Sequence, residues 1–99
     1  MLEGKNYRIT KENIFAHELI GLKAKVVGGS EKSRIGLKGY IMDETRNVLV
    51  LETAAGMKTV PKSESVFEFD LGKERAVVEG RKIVARPEDR IKLFGRKRS

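Results

Sequence analysis

The residues of this sequence that are best suited to chemistry are basic, and they are concentrated near the C-terminus. Residues 71–99 carry ten basic and four acidic side chains, whereas residues 31–70 carry six basic and seven acidic ones. Arginine can donate two parallel hydrogen bonds to phosphate oxygens, so this concentration predicts a surface that binds RNA or DNA. A merely solvated charged surface with a disordered tail is the competing interpretation. The candidate phosphate-binding residues are Arg75, Arg81, Lys82, Arg86, Arg90 and Lys92.

A second basic group surrounds the first predicted strand and is the alternative RNA surface. Its members are Lys23, Lys25, Arg34 and Lys38. Aromatic side chains are few, and Phe67 and Phe69 are expected in the core. Recognition is therefore expected to depend on the phosphate backbone and on shape rather than on base stacking.

Groups for catalysis or metal binding are scarce. His17 is the only histidine and there is no cysteine, so neither a zinc site nor a Ser-His-Asp arrangement is indicated. Asp43 and Glu44 are adjacent carboxylates of the kind that holds Mg²⁺, which leaves a metal-dependent nuclease as an alternative. A turn-forming Asp43 and a solvated Glu44 are the favoured interpretation. The sequence thus predicts no catalytic residue, no bound metal and no cofactor.

Composition limits the class of protein. The chain has 99 residues and a net charge of +7, with an isoelectric point near 9.9, which favours a polyanionic partner. It contains no apolar run approaching the roughly 18 residues of a membrane span and no apolar leader, so a cytoplasmic protein is expected. We expect a flexible segment over residues 1–9, one domain over residues 10–94 and a flexible basic tail over residues 95–99.

The elements that must position these residues are mostly short strands. The segment from Ile35 to Thr53 predicts a hairpin that turns at Asp43–Asn47, with Gly36 and Gly39 allowing a bend or a close backbone approach. Further strands are predicted at residues 22–27, 57–62 and 66–70, and a second hairpin at residues 76–79 and 82–85 that turns at Gly80–Arg81.

Short helices are predicted at both ends of this β-structure. The first begins near Thr10 and stops at Gly21, and the second runs from Pro87 to Gly95. The fold class is therefore all-β, a small barrel of about six or seven strands with two short helices. The side chains expected to be buried together are those of Ile41, Leu49, Leu51, Phe67, Phe69 and Val77.

Four stretches, in order, resemble the family of archaeal ribonuclease P protein component 1, which is homologous to the eukaryotic twenty-nine-kilodalton subunit. They are H-E-L-I-G-L at residues 17–22, G-x-x-G-x-I-x-D-E-T-x-N-x-L at 36–49, V-P-K at 60–62 with F-x-F at 67–69, and R-P-E-D-R at 86–90. The resemblance covers roughly residues 14–93. It implies an Sm-like barrel built from a strongly bent antiparallel sheet.

The resemblance also implies a function. The chain is expected to be a non-catalytic subunit of ribonuclease P, which removes the 5′ leader of precursor tRNA and whose RNA carries the Mg²⁺-dependent chemistry. The implied partners are the ribonuclease P RNA, precursor tRNA within the holoenzyme, and a small zinc-binding protein subunit. The isolated chain is expected to be a monomer that forms a heterodimer with this subunit. The residues expected to contact it are Ile14, Phe15, His17, Leu19 and Ile20.

Two other binding proteins remain as alternatives. An Sm-like ring protein would assemble through its sheet edges, but Pro61 and the charged Glu68 and Asp70 lie near predicted edges and discourage that pairing. A ribosomal or transcription-factor RNA-binding barrel is the second alternative, since glycine-punctuated strands such as 36–39 also suit it.

Overall fold

Six antiparallel strands form one continuous sheet in the computed structural model, which describes residues 14–16 and 18–95. The strands are β1 (Lys23–Gly29), β2 (Lys38–Glu44), β3 (Val48–Thr53), β4 (Gly56–Pro61), β5 (Ser65–Asp70) and β6 (Arg75–Glu79), and the helix α1 is Pro87–Gly95. Their order across the sheet is β4-β3-β2-β1-β5-β6. The predicted mainly-β fold is thus confirmed. Within the described ranges, no helix has the length and apolarity needed to cross a membrane.

The sheet curls so far that the segments following its two edge strands touch. The register shifts between Val26 and Gly28 in β1, and again between Ile41 and Asp43 in β2. Such bulges bend a strand and increase its twist. As a result the 3-10 turn after β4, Lys62–Glu64, packs against the 3-10 turn after β6, Gly80–Ile83.

The central hairpin lies where the sequence predicts it. Strands β2 and β3 pair in antiparallel register, and the Thr45 amide donates to the Val48 carbonyl across the turn, at 3.0 Å. Gly39 lies directly against β3, because a Cβ there would be 1.9 Å from the Glu52 carbonyl oxygen. Gly36 has a φ of +102°, which favours glycine. Both glycines therefore have the roles expected of them.

The core contains five of the six residues predicted for it. Ile41, Leu49, Leu51, Phe67 and Phe69 are buried in one cluster. The prediction for Val77 is wrong. Its side chain is 64% exposed, and its neighbours Ala76 and Val78 point inward instead. The cause is the pairing of Val78 with buried Phe67, which sets the inward positions of β6.

The predicted second hairpin does not form. After β6 the chain enters the 3-10 turn Gly80–Ile83 rather than turning back as a strand. Gly80 lies so close to the Lys62 carbonyl oxygen that a Cβ would come within 2.0 Å of it. Ile83 then inserts into the core. The chain leaves the sheet here because these contacts close one end of the core.

The predicted C-terminal helix is observed, whereas the chain before β1 differs from the prediction. Helix α1 begins at Pro87 and ends at Gly95, as predicted, with Glu88 and Asp89 in its first turn. At the other end, Ile14–Ala16 form a 3-10 turn. Residues 18–21 are not helical, so the predicted N-terminal helix is not found over the part of it that the structure describes. Residues 1–13, His17 and residues 96–99 lie outside the described residues, and with them the predicted flexible segment, the start of the predicted helix and nearly all of the basic tail.

Candidate nucleic-acid interface

Five of the six C-terminal basic residues are exposed. Arg75 lies on β6, Arg81 and Lys82 on the 3-10 turn after it, Arg86 just before α1 and Lys92 on α1. Arg81 and Lys82 were predicted at a hairpin tip, which is wrong, yet the 3-10 turn also leaves both side chains exposed. Arg81 forms an exposed ion pair with Glu79, Nη2 to Oε1 at 2.7 Å. An exposed pair of this kind is weak enough to be exchanged for a phosphate.

The assignment of Arg90 to the phosphate-binding surface has to be corrected. Its side chain is completely buried although it lies on the short helix α1. The guanidinium donates from Nη2 to Glu44 Oε1 at 2.8 Å, from Nε to Glu44 Oε2 at 3.3 Å, and from Nη1 to the Phe15 carbonyl at 2.8 Å. A guanidinium committed to the interior in this way cannot reach a phosphate. Arg90 instead fixes α1 to the sheet.

Lys62 completes a buried ion cluster with Glu44 and Arg90. Its ammonium donates to Glu44 Oε2 at 2.9 Å and to the carbonyls of Ile83 and Ala85 at 2.9 and 3.0 Å. All three charged side chains are fully buried. The buried ion cluster thus joins the end of β2, the turn after β4, the segment before α1 and α1 itself. Because buried charges require partners, the two cations both depend on Glu44.

The electrostatic balance of the buried ion cluster is uneven, since two cations share one carboxylate. Burial lowers the pKa of Lys62 below its ordinary value, and Arg90 adds to that effect, while the hydrogen bond and charge of Glu44 oppose it. Glu44 is therefore the group that opposes the loss of charge on Lys62. It was expected to be a solvated turn residue, and that expectation is wrong.

The acidic pair considered for Mg²⁺ does not form a metal site. Glu44 is held by Lys62 and Arg90, and Asp43 accepts a hydrogen bond from the Glu44 amide at Oδ1, 2.9 Å away. The Asp43 side chain is exposed, whereas that of Glu44 is buried. Residues 14–16 and 18–95 contain no group of three His, Cys, Asp or Glu side chains able to hold a metal ion.

The alternative basic group lies on the outward face of the sheet. Lys23 and Lys25 project from β1 and Lys38 from β2, and all three are exposed. They line one shallow groove together with Arg75 of the C-terminal group. The two predicted RNA surfaces therefore meet at Arg75. Arg34 is separate from this groove and pairs with Glu64, Nη1 to Oε1 at 3.0 Å.

The residues predicted to contact a protein partner divide into buried and exposed ones. Ile14 and Leu19 are buried in the core, so neither can be offered to a partner, and for them the prediction is wrong. They are buried because the chain at this end covers one side of the core cluster. Phe15 is half-buried against that cluster, and Ile20 is 45% exposed. His17 lies outside the described residues.

The buried ion cluster was not predicted from the sequence. Its members are far apart in the chain, and nothing in their local sequence distinguishes them from solvated charges. Pro61 before Lys62 and the apolar run after Glu44 mark only the ends of strands. Their burial follows from contacts that are remote in the sequence: the turn after β4 carries Lys62 and α1 carries Arg90 to Glu44 at the end of β2, and no local pattern encodes that.

Comparison with known proteins identifies relatives of this chain. The family model described as ribonuclease P/MRP, subunit p29 matches residues 12–93. The ribonuclease P protein component 1 of Methanosphaera stadtmanae is 47% identical over 85 residues, covering 85% of this chain and 91% of the relative. That of Methanocaldococcus jannaschii is 48% identical over 85 residues, covering 85% and 90%.

A solved structure agrees with these relatives. The structure of Mth11, described as a homologue of the human ribonuclease P protein Rpp29, is similar with a TM-score of 0.55 and 43% sequence identity. The similarity covers 76% of this chain and 99% of that one.

Proposed function

The chain belongs to the ribonuclease P/MRP p29 family and is a protein subunit of ribonuclease P, and we propose that it binds the RNA of that enzyme without performing the cleavage itself. The observation that carries this proposal is the family match, which spans nearly the whole described domain. The exposed basic side chains on β6, on the turn after it and beside α1 give the chain a means of holding RNA phosphates. Neither alternative, a ring protein or a ribosomal or transcription-factor module, is favoured by the relatives.

We assign the chemistry to the RNA because one member of the chain's acidic pair, Glu44, is committed to an internal ion pair. The carboxylate of Glu44 is buried and pairs with two cations, so it is not available to hold Mg²⁺ beside a scissile phosphate. The protein's contribution is then to bind and position the RNA and to support its folding and its recognition of precursor tRNA. The strongly curled sheet supports an Sm-like barrel as the scaffold.

A combined Arg81→Ala, Lys82→Ala and Arg86→Ala variant is expected to bind ribonuclease P RNA with a weaker salt dependence. Each phosphate contact releases condensed cations, so removing one contact should reduce the slope of log affinity against log salt by about 0.7 to 0.9. The loss of affinity should be similar for many RNA sequences, because a phosphate contact carries no base information. The measurement is a salt titration of the RNA complex.

The matched control for this variant removes three other exposed cations. Arg46→Ala, Lys58→Ala and Lys73→Ala together change the net charge equally but lie outside both predicted surfaces. If the slope of log affinity against log salt were unchanged in the test variant, the RNA surface would instead be assigned to Lys23, Lys25, Arg34 and Lys38. Cleavage of precursor tRNA by this chain alone with Mg²⁺ would contradict the non-catalytic role.

We further propose that the N-terminal part of the described chain docks a second, zinc-binding protein subunit. Ile20 is 45% exposed although it follows directly after buried Leu19, and Phe15 is only half-buried. These two side chains are the described members of the predicted partner-binding set that are not fully buried in this chain. The isolated chain is then a monomer and the pair a heterodimer.

An Ile20→Asp variant is expected to lose affinity for the zinc-binding subunit by roughly ten-fold or more, because a charge would be buried in the interface. Its thermal stability should change little, since the side chain is exposed. Ile35→Asp is the matched control, because Ile35 has the same 45% exposure and lies before β2. Calorimetric titration of both variants with the partner checks the prediction, and equal binding by Ile20→Asp and wild type would refute it.

A further inference from the structure

Tyr40 presents a half-exposed aromatic ring in the middle of the outward face of the sheet. It lies on β2 between Gly39 and buried Ile41, and 51% of its surface is exposed. It pairs across the sheet with Lys23 of β1 on one side and with Glu52 of β3 on the other. Stacking platforms were expected to be scarce, and Tyr40 provides one.

Basic side chains border this platform along the seam between β1 and β2. The ammonium of Lys23 lies 5.7 Å from the centre of the Tyr40 ring. Lys25 and Lys38 are also direct cross-strand partners. Their pair lies on the same face as the Lys23–Tyr40 pair, two residues away and thus about 7 Å along the strands. The seam therefore carries three ammonium groups and one aromatic face.

The pairing of Lys25 with Lys38 places two like charges opposite each other. Such a pair destabilises a sheet unless an anion lies between the charges. Neither ammonium forms a salt bridge to a residue of the described chain. Acidic groups of this face lie on the strands on both sides of the seam. Glu68 and Asp70 of β5 are opposite Lys25 and Lys23, and Glu52 of β3 is opposite Tyr40. They would repel a phosphate placed over β5 or β3, which favours an anion over the β1–β2 seam at Lys25 and Lys38.

A half-exposed aromatic ring, with the Lys23 ammonium over it and a pair of ammonium groups nearby, matches the chemistry of a single-stranded nucleotide. Unpaired bases stack on aromatic side chains, whereas the bases of a duplex are already stacked on one another. Phosphates on either side of such a base need cations within a few ångströms, and the neighbouring lysines supply them. A duplex would use the lysines but not the ring.

We propose that an unpaired nucleotide of RNA stacks on Tyr40 while Lys25 and Lys38 bind the adjoining phosphate. This rests on the proposed RNA-binding function and specifies one site for it. The role of Tyr40 is non-electrostatic and that of the lysines is electrostatic. The two contributions can therefore be separated in one experiment.

The test compares full-length variants for binding to a single-stranded oligoadenylate of about twelve nucleotides. Tyr40→Ala is expected to weaken binding roughly five- to a hundred-fold, with the salt slope unchanged, because a stacking contact releases no cations. Tyr40→Phe should bind within about two-fold of wild type, since the ring face remains. Lys25→Ala with Lys38→Ala should instead lower the salt slope by about 0.7 for each phosphate contact that is removed.

A direct optical readout is available because the chain has two tyrosines and no tryptophan. In a Tyr7→Phe variant Tyr40 is the single tyrosine, so the tyrosine fluorescence reports on it alone. Stacking of a base on its ring should quench that fluorescence. The matched control is Met57→Ala, since Met57 is 58% exposed in the same cross-strand row as Tyr40 and carries no ring. That variant should bind oligoadenylate as wild type does.

Three results would overturn the inference. Equal oligoadenylate binding by Tyr40→Ala and wild type would do so, as would an equal loss of affinity for an RNA duplex of the same length. A loss of affinity for the zinc-binding subunit in place of RNA would identify the seam as a protein interface. The proposed function is tested separately, by salt-dependent binding of wild type to ribonuclease P RNA. If that binding is observed together with any of these three results, the proposed function stands and only the Tyr40 site is refuted.

Discussion

Replacing Glu44 with glutamine is expected to lower the free energy of unfolding by about 3–5 kcal/mol. The amide fills nearly the same volume, so no cavity forms, but it leaves the buried charges of Lys62 and Arg90 without a counter-ion. The cost comes from those two cations, which in the folded state are cut off from water. Urea unfolding followed by circular dichroism measures it.

A surface carboxylate provides the comparison for Glu44→Gln. Glu64 also pairs with an arginine, but both side chains of that pair are partly exposed, so Glu64→Gln should change stability by less than about 1 kcal/mol. If Glu44→Gln costs no more than Glu64→Gln, the cations of the buried ion cluster are solvated and the interior is open to water. If the variant is fully unfolded, Asp at the same position retains the charge and should recover part of the stability.

The second large effect is expected at Phe67. Phe67→Ala should cost roughly 3–5 kcal/mol, because the ring is fully buried and its removal leaves a cavity among close-packed neighbours. It also removes the stacked contact with Phe69, whose ring centre lies 5.8 Å away at an interplanar angle of 23°. Thermal or urea unfolding of the purified variant is the measurement.

An apolar residue of the adjoining strand β6 provides the control for Phe67. Val77→Ala removes methyl groups from a side chain that is 64% exposed, so it should change stability by less than about 0.5 kcal/mol. A cost below about 1 kcal/mol for Phe67→Ala would show that the core collapses around the missing ring. If Val77→Ala lowered the free energy of unfolding as much as Phe67→Ala, the exposed face of β6 would have to pack against another part of the protein in solution.

Local patterns predicted those parts of the fold that depend on alternation and on turn residues. In the strand Val66–Asp70 the two phenylalanines alternate with Glu68 and Asp70, so Phe67 and Phe69 could be assigned to the core correctly. Residues 76–78 are three apolar residues in a row, and alternation alone cannot say which of them face inward. The pairing with β5 decides that, and it is a non-local contact.

The same distinction applies to the candidate interface. Exposed cations such as Arg86 and Lys92 were predicted from charge alone, since most charged side chains are solvated. Arg90 has the same type of neighbours in the sequence, yet it is buried, because α1 directs it at Glu44. Tyr40 was overlooked although the assignment of Ile41 to the core, together with strand alternation, already places its neighbour on the outer face. What the sequence could not show is that Lys23, Lys25 and Lys38 lie beside it, because that depends on the pairing of β1 with β2.

The strand order has a consequence for how the chain folds. Strands β2, β3 and β4 are joined by short turns, so their pairing closes only small loops, whereas β1 pairs Ala24 with Phe69 far along the chain. Closing the longer loop costs more chain entropy, and topologies rich in such contacts fold slowly. The three-strand meander should therefore be the early nucleus, and mutations in it should slow folding. Docking of β5, β6 and α1 should follow, and mutations there should mainly accelerate unfolding.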